Sequence, residues 1–208
     1  MRNNEKEIPR HQPPKGSKTQ NQELLYDPNV LTPSHAEQAQ TLASKMATAT
    51  LCTMSIEPAG YPYGSFVTYA IYEGNPIFLI SGLAEHTKNL DKDSKASLLI
   101  AEAGEGNPLA LGRVTLMGDC KRLSEEHREN VRDIFLSKNP DSKFYIDFKD
   151  FYFYRLEVSE VRYIGGFGRM SWITDVQWFQ AEPDPMVPFS SDIIEHMNED
   201  HADSMVLY

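Results

Sequence analysis

The chain has 208 residues, 40% of them hydrophobic, and sets 20 Lys and Arg against 30 Asp and Glu for a formal charge of -10. That length can bury one good core and a small appendage, while the acidic balance and the lack of Lys/Arg runs exclude binding driven by phosphate backbones, so nucleic acid is not an expected partner. No apolar run reaches the ~18 residues needed to cross a bilayer, and residues 1–33 have neither the apolar core of a secretion signal nor the acid-poor character of a transit peptide; a cytoplasmic protein without a membrane partner is expected.

Residues 1–33 are rich in Asn, Gln, Pro and Lys, offer little apolar surface to offset the entropy of ordering, and are expected to form a disordered tail. From Ser34, a capping residue, Ala36, Ala39, Leu42, Ala43 and Met46 recur at helical spacing. The helix leads into a strand over 50–56. The turn Glu57-Pro58-Ala59-Gly60 precedes a strand over 64–71, and Glu73-Gly74-Asn75-Pro76 turns into the apolar run Ile77-Phe78-Leu79-Ile80. Ser81-Gly82 break that run, and a short helix carrying His86, Thr87, Lys88 and Asn89 follows. Strands resume at 96–101 and over a long stretch from Leu109 to Cys120. A helix from Ser124 places His127, Val131, Ile134 and Phe135 at helical spacing and ends at Asn139-Pro140. Residues 151–158, dense in aromatics, continue to Ile164, and a glycine loop over 165–169 leads to a last strand at 170–174. The pattern predicts a mainly β fold with α: a six- to seven-stranded antiparallel split β-barrel with flanking helices.

Chemistry concentrates in the segment from Ile77 to Leu90. A strand that feeds a helix through a small-residue turn leaves outward-facing amides and about half a positive charge of helix dipole, and Ser81, Thr87 and Lys88 beside it suit a phosphate; the competing reading is a solvated connection. Arg113, on the long strand after Gly112, is a further candidate cation, against a rim ion pair with one of the acids; the bare glycine would let a ring or phosphate approach the backbone. Cys52 and Cys120 read as two reduced, buried, inert thiols. No Gly-x-Ser-x-Gly, His-Glu-x-x-His or Cys-x-x-Cys string is present, which speaks against hydrolase and zinc-protein readings.

The helix-strand opening, the strand from Tyr63 to Ile71, the run from Ile80 to Leu90, and Leu109 to Gly118 together resemble the FMN-binding split barrel of the pyridoxamine 5'-phosphate oxidase-like superfamily, over residues 34 to about 175. The run His196-Met197-Asn198-Glu199-Asp200-His201 resembles the start of the small C-terminal domain of the haem-iron utilisation branch. The resemblance implies a homodimer with FMN or haem between subunits, a barrel over 34–180, and a linker with the first helix of an appended domain over 181–208. It carries Ser65, Thr68, Ser81, His86, Thr87, Lys88 and Arg113 over as cofactor-binding residues. It adds Arg169, in the glycine loop over 165–169 that matches the loop after the last barrel strand, as a haem contact, against an ion pair across a dimer interface.

His201 falls on a stripe with Ile194 and Met197, and His196 about 140° away, so the two are not expected to form one chelate; each is a candidate haem contact, against a packed histidine satisfied by a neighbour. The helix is expected to run from near Ser191 to Tyr208 without a terminal cap, as though the appended domain were unfinished. Where pyridoxamine-phosphate oxidases end in Arg-Leu-x-Pro, this chain has Arg155-Leu156-Glu157-Val158, so vitamin B6 oxidation is not expected. Three functions stay open: a flavin- or haem-dependent oxidoreductase of haem-iron utilisation, a non-catalytic FMN- or haem-binding or regulatory module in tetrapyrrole metabolism, and a structural dimer.

Overall fold

The computed structural model describes residues 32–166 and 169–201; the expected disordered tail up to residue 31, and the expected helix end past His201, lie outside them. Helix α1 (His35–Lys45) starts where the sequence places it. The Ser34 hydroxyl accepts from the Glu37 amide at 3.2 Å and the Glu37 carboxylate accepts from the Ser34 amide at 2.7 Å, a reciprocal capping box. Its buried face, Ala36, Ala39, Leu42 and Ala43, belongs to the barrel core.

The strands are β1 (Thr48–Met54), β2 (Pro62–Thr68), β3 (Ala70–Tyr72), β4 (Asn75–Ser81), β5 (Lys95–Ala101), β6 (Gly112–Arg122), β7 (Phe151–Gly165) and β8 (Met170–Thr174). Their order is β2-β1-β5-β6-β7-β4-β3, with β8 also on β7, and every pairing is antiparallel. The strand expected over 64–71 is bent at Tyr69, whose amide donates to Ala47 O at 3.1 Å and whose hydroxyl donates to Ala43 O at 2.7 Å. Its first part pairs with β1 and its second with β4, so one bent strand joins the two edges and closes the barrel. Counting β2 and β3 together gives the seven strands of the expected fold class.

Helix α2 (Glu85–Lys92) follows β4. Helix α3 (Arg128–Lys138) starts later than expected, after a 3₁₀ turn at Glu125–His127, and of its apolar positions Val131 and Phe135 are buried while Ile134 is exposed. A short helix α4 (Asp175–Gln180), which the sequence reading missed, opens on a Thr174–Gln177 capping box. Helix α5 (Ser190–Asp200) ends earlier than expected.

Two core clusters explain the apolar run of β4. Phe78 and Ile80 face the barrel interior, whereas Ile77 and Leu79 face outward into a second cluster with Val131, Phe135, Ile146 and Phe153. A strand buried on both faces reads as a continuous run rather than an alternation. So α3 covers the outside of β3, β4 and the start of β7. Positions on the outside of the remaining sheet, from β2 across to β8, are half-buried or exposed: Phe66 is 76% exposed, Trp172 61% and Met170 53%. Cys52 stands on this face, half-buried, which corrects the expectation of two buried thiols; Cys120 is buried as expected, and burial pushes its thiol pKa up.

Candidate functional site

The expected site residues divide between two ends of the barrel. At the α2 end, the hydroxyls of Ser81 and Thr87 and the carbonyl of Ser81 already have internal partners. The Ser81 hydroxyl donates to Asp150 Oδ2 at 2.9 Å and accepts from the Leu83 amide at 3.1 Å, while Ser81 O accepts from buried Thr87 Oγ1 at 2.7 Å. Lys88 pairs with Glu85 at 3.1 Å. Asn89, fully buried, accepts from the Ile56 amide and donates to Thr53 Oγ1, which ties α2 to β1. Asp150 places a carboxylate beside the turn where the cradle reading puts a phosphate, so this geometry favours the structural connection.

His86 differs from its neighbours. Its Nδ1 lies 3.0 Å from Ser65 Oγ, and the Ser65 hydroxyl donates to Leu51 O at 3.3 Å, so we assign the imidazole proton to Nδ1. Nε2 is then a buried acceptor with no hydrogen-bond partner. Burial holds the His86 pKa below its ordinary value of 6.5. The unfolded chain therefore binds more protons than the folded one between the lowered value and 6.5. The stability that neutral His86 confers is complete above about pH 6.5 and is lost as pH falls toward the folded pKa. Melting temperatures across this range should fall more steeply for the native chain than for His86→Gln; equal slopes would remove His86 from the acid response.

Arg113 lies at the other end of β5. It pairs with Ala101, six residues along β5 from Lys95, about 20 Å away at ~3.3 Å per residue, whereas α2 lies at the Lys95 end. One chain thus does not bring Arg113 and Lys88 to a common phosphate. Gly112 does not open a path to the backbone either: its amide donates to Glu102 Oε2 at 3.1 Å, and a side chain there would meet Glu102 and Leu42. The Arg113 guanidinium donates to the carbonyls of Leu109 and Leu111, and among the described residues no carboxylate lies within ion-pair distance of it. Arg113 stands on the uncovered outer face.

The pairing register lays that face out in rungs, because directly paired residues share a face. One rung runs Phe66–Thr50–Leu99–Thr115–Arg162–Trp172 across six strands. The next holds Ala101–Arg113–Ile164–Met170, with Thr68 opposite Thr48 at its far side. Arg169 follows at the start of β8, exposed, its carbonyl accepting from the Gly165 amide at 2.7 Å. Of the expected residues, Thr68, Arg113 and Arg169 therefore belong to this face or its margin, while Ser65, Ser81, His86, Thr87 and Lys88 belong to the α2 end.

The two histidines of α5 are closer than the helical wheel implies. His201 caps the helix instead of continuing it, and its ring centroid lies 5.1 Å from that of His196, edge to face. His196 Nδ1 is 2.8 Å from Asp200 Oδ2. Among the described residues no group of three or more His, Cys, Asp or Glu side chains is placed to hold a metal ion, and no helix is long and apolar enough to cross a membrane.

Residues 31–180 match the family model described as CREG, beta-barrel. The chain belongs to the CREG beta-barrel family. That family is one of split barrels of the FMN-binding-like superfamily, consistent with the resemblance read from the sequence. The chain is 36% identical over 175 residues to the non-canonical heme oxygenase HOZ, chloroplastic, of Arabidopsis thaliana, covering 82% of this chain. It spans 54% of that relative's length. A heme binding protein from Mycobacterium smegmatis superposes with a TM-score of 0.73 at 41% identity, over 85% of this chain and 73% of that one. Atu2129 of Agrobacterium tumefaciens, a protein of unknown function, superposes with a TM-score of 0.62 at 29% identity, over 74% and 64% of the two chains.

Haem and FMN make different demands on this CREG-type barrel. FMN needs a phosphate cradle, and the expected one is internally bonded and flanked by Asp150. Haem needs an apolar surface wide enough for a flat macrocycle, and cations for its carboxylates. The outer face offers exposed Phe66, Leu99, Met170 and Trp172, with Arg113 beside them free of any acid among the described residues. Among the described residues no strand carries a histidine, so the described strands supply contact and charge to this face but no imidazole.

Proposed function

We propose that the chain binds haem on the outer face of β2, β1, β5, β6, β7 and β8, where a second copy covers it, and acts in haem-iron utilisation by oxidative opening of the macrocycle. The observation that carries this reading is an apolar sheet face exposed to the degree of Phe66 and Trp172, with the unpaired guanidinium of Arg113 on it. Exposed apolar patches of this extent mark ligand or protein contacts. The haem oxygenase and haem-binding character of two relatives supports the same assignment.

In this reading Arg113 and Arg169 bind the haem carboxylates, and Thr68 borders the macrocycle. The imidazole for iron comes from His196 or His201. Asp200 holds His196 Nδ1, which leaves Nε2 as the ligating nitrogen, the outer-shell arrangement usual for metal-binding histidines. Bound haem supplies the iron at which oxygen is activated; the protein supplies position, charge and exclusion of water.

Titration with haemin, followed in the Soret band, tests the reading. Saturable uptake is expected. Arg113→Ala should weaken it by roughly 1.5–3 kcal/mol, the worth of a hydrogen bond to a charged group, and Lys88→Ala should leave it unchanged, since Lys88 is engaged by Glu85. Adding a reductant in air should bleach the band and release iron. A haem complex that survives reductant in air would make the protein a carrier instead, and a chain that takes up no haemin would refute the reading.

A further inference from the structure

Arg162 occupies a place on the outer face that nothing in the sequence reading assigned. Thr115 pairs with Arg162 and Arg113 with Ile164, so Arg113 and Arg162 are diagonal neighbours on one face of the β6–β7 ladder. Diagonal positions lie about 7–8 Å apart. Among the described residues neither guanidinium has a carboxylate within ion-pair distance, in a chain that carries 30 acids. Other arginines are engaged: Arg122 with Glu125, Arg132 with Asp147, Arg155 with Glu73. Two neighbouring arginines that no acid engages repel one another, and a bound anion that both reach would relieve that repulsion.

The third element is Trp172, the residue paired with Arg162 on β8. Its ring is exposed, and the Arg162 guanidinium lies 5.4 Å from its centroid. The contact braces one face of the guanidinium while its N–H groups stay available in plane, the geometry with which arginine grips carboxylates. The indole beside it is a flat apolar surface.

We propose that Arg113 and Arg162 form a two-carboxylate clamp, with Trp172 as the platform beside it, so that this face selects a flat apolar ligand bearing two neighbouring carboxylates. The inference rests on the haem reading and gives it a third cation, beside Arg113 and Arg169, and a specificity rule. The clamp recognises the carboxylate pair; the macrocycle rests on the apolar residues.

Binding of haemin and of haemin dimethyl ester, whose carboxylates are capped, to the full chain and to Arg162→Gln tests it. Arg162→Gln should weaken haemin roughly tenfold or more and change the ester by less than about twofold, since the ester presents no anion. Arg162→Lys, which keeps the charge but not the fork, should recover part of the haemin affinity. Unchanged haemin affinity in Arg162→Gln, or an equal loss for both ligands, would overturn the clamp while leaving the haem reading standing. A native chain that takes up neither ligand removes both.

Discussion

Replacing Gly118 by alanine is expected to cost about 3 kcal/mol or more and to leave little folded protein. Gly118 sits at the one register shift of the β6–β7 ladder, where Met117 pairs with Glu160 but Gly118 pairs with Val158, so Ser159 is the extra residue of a bulge. A side-chain carbon at Gly118 would lie 1.9 Å from Glu157 O and 2.9 Å from Glu157 C, both backbone atoms. A flexible side chain could move aside. This carbonyl lies between buried Leu156 and Val158 in the longest ladder of the barrel and cannot shift without opening it. Gly64→Ala is the matched control: it is also a strand glycine, and its new carbon would meet Thr50 Cγ2 at an ordinary 3.5 Å. Thermal unfolding of the two variants should separate them widely, and equal shifts in melting temperature would show that the bulge tolerates a side chain.

Phe66→Glu is expected to have the largest effect on function with the least on the fold. Phe66 is 76% exposed and points away from the barrel core, opposite Thr50 at one end of the six-strand rung. In a single chain, glutamate there meets water. Between two copies it buries a charge without a partner, which in a covered interface costs about 3 kcal/mol or more. The variant should keep native secondary structure and a cooperative melt, lowered by no more than the loss of association costs, and sediment as a single chain, with haemin uptake lost along with the second copy. A variant that keeps both the assembly and the affinity would place the contact between copies elsewhere.

The same bulge explains what the sequence revealed and what it hid. Helix α1, β4 and β8 were legible because their signals are local: a Ser34–Glu37 cap, a run apolar on both faces, a short strand after glycines. Along β7, Tyr154, Leu156 and Val158 are buried, and after the bulge the buried set shifts parity to Val161 and Tyr163. Alternation carried through without the bulge would turn Arg162 and Ile164 inward. Arg162 thus escaped notice for a physical reason, since one inserted residue exchanges the two faces of a strand. Helix α4 was missed because it is only six residues long, although the Thr174–Gln177 pair was a usable signal.

The candidate cradle depends on partners that are not local in the chain. Ser81, Thr87 and Lys88 have the chemistry for a phosphate, but their partners decide their role, and Asp150 is 69 residues from Ser81 in the chain. Likewise, alternation shows that Arg113 faces outward or inward with its strand neighbours, while only the fold shows that α3 stops short of that face.

Sedimentation equilibrium of the haemin-loaded chain, read in the Soret band, tests most directly whether the uncovered sheet face binds haem between two copies. The haem signal is expected to sediment at twice the chain mass in the native protein, and Phe66→Glu to lose both the assembly and the signal. Haem that sediments with a single chain, or that stays with an intact assembly in Phe66→Glu, would contradict it.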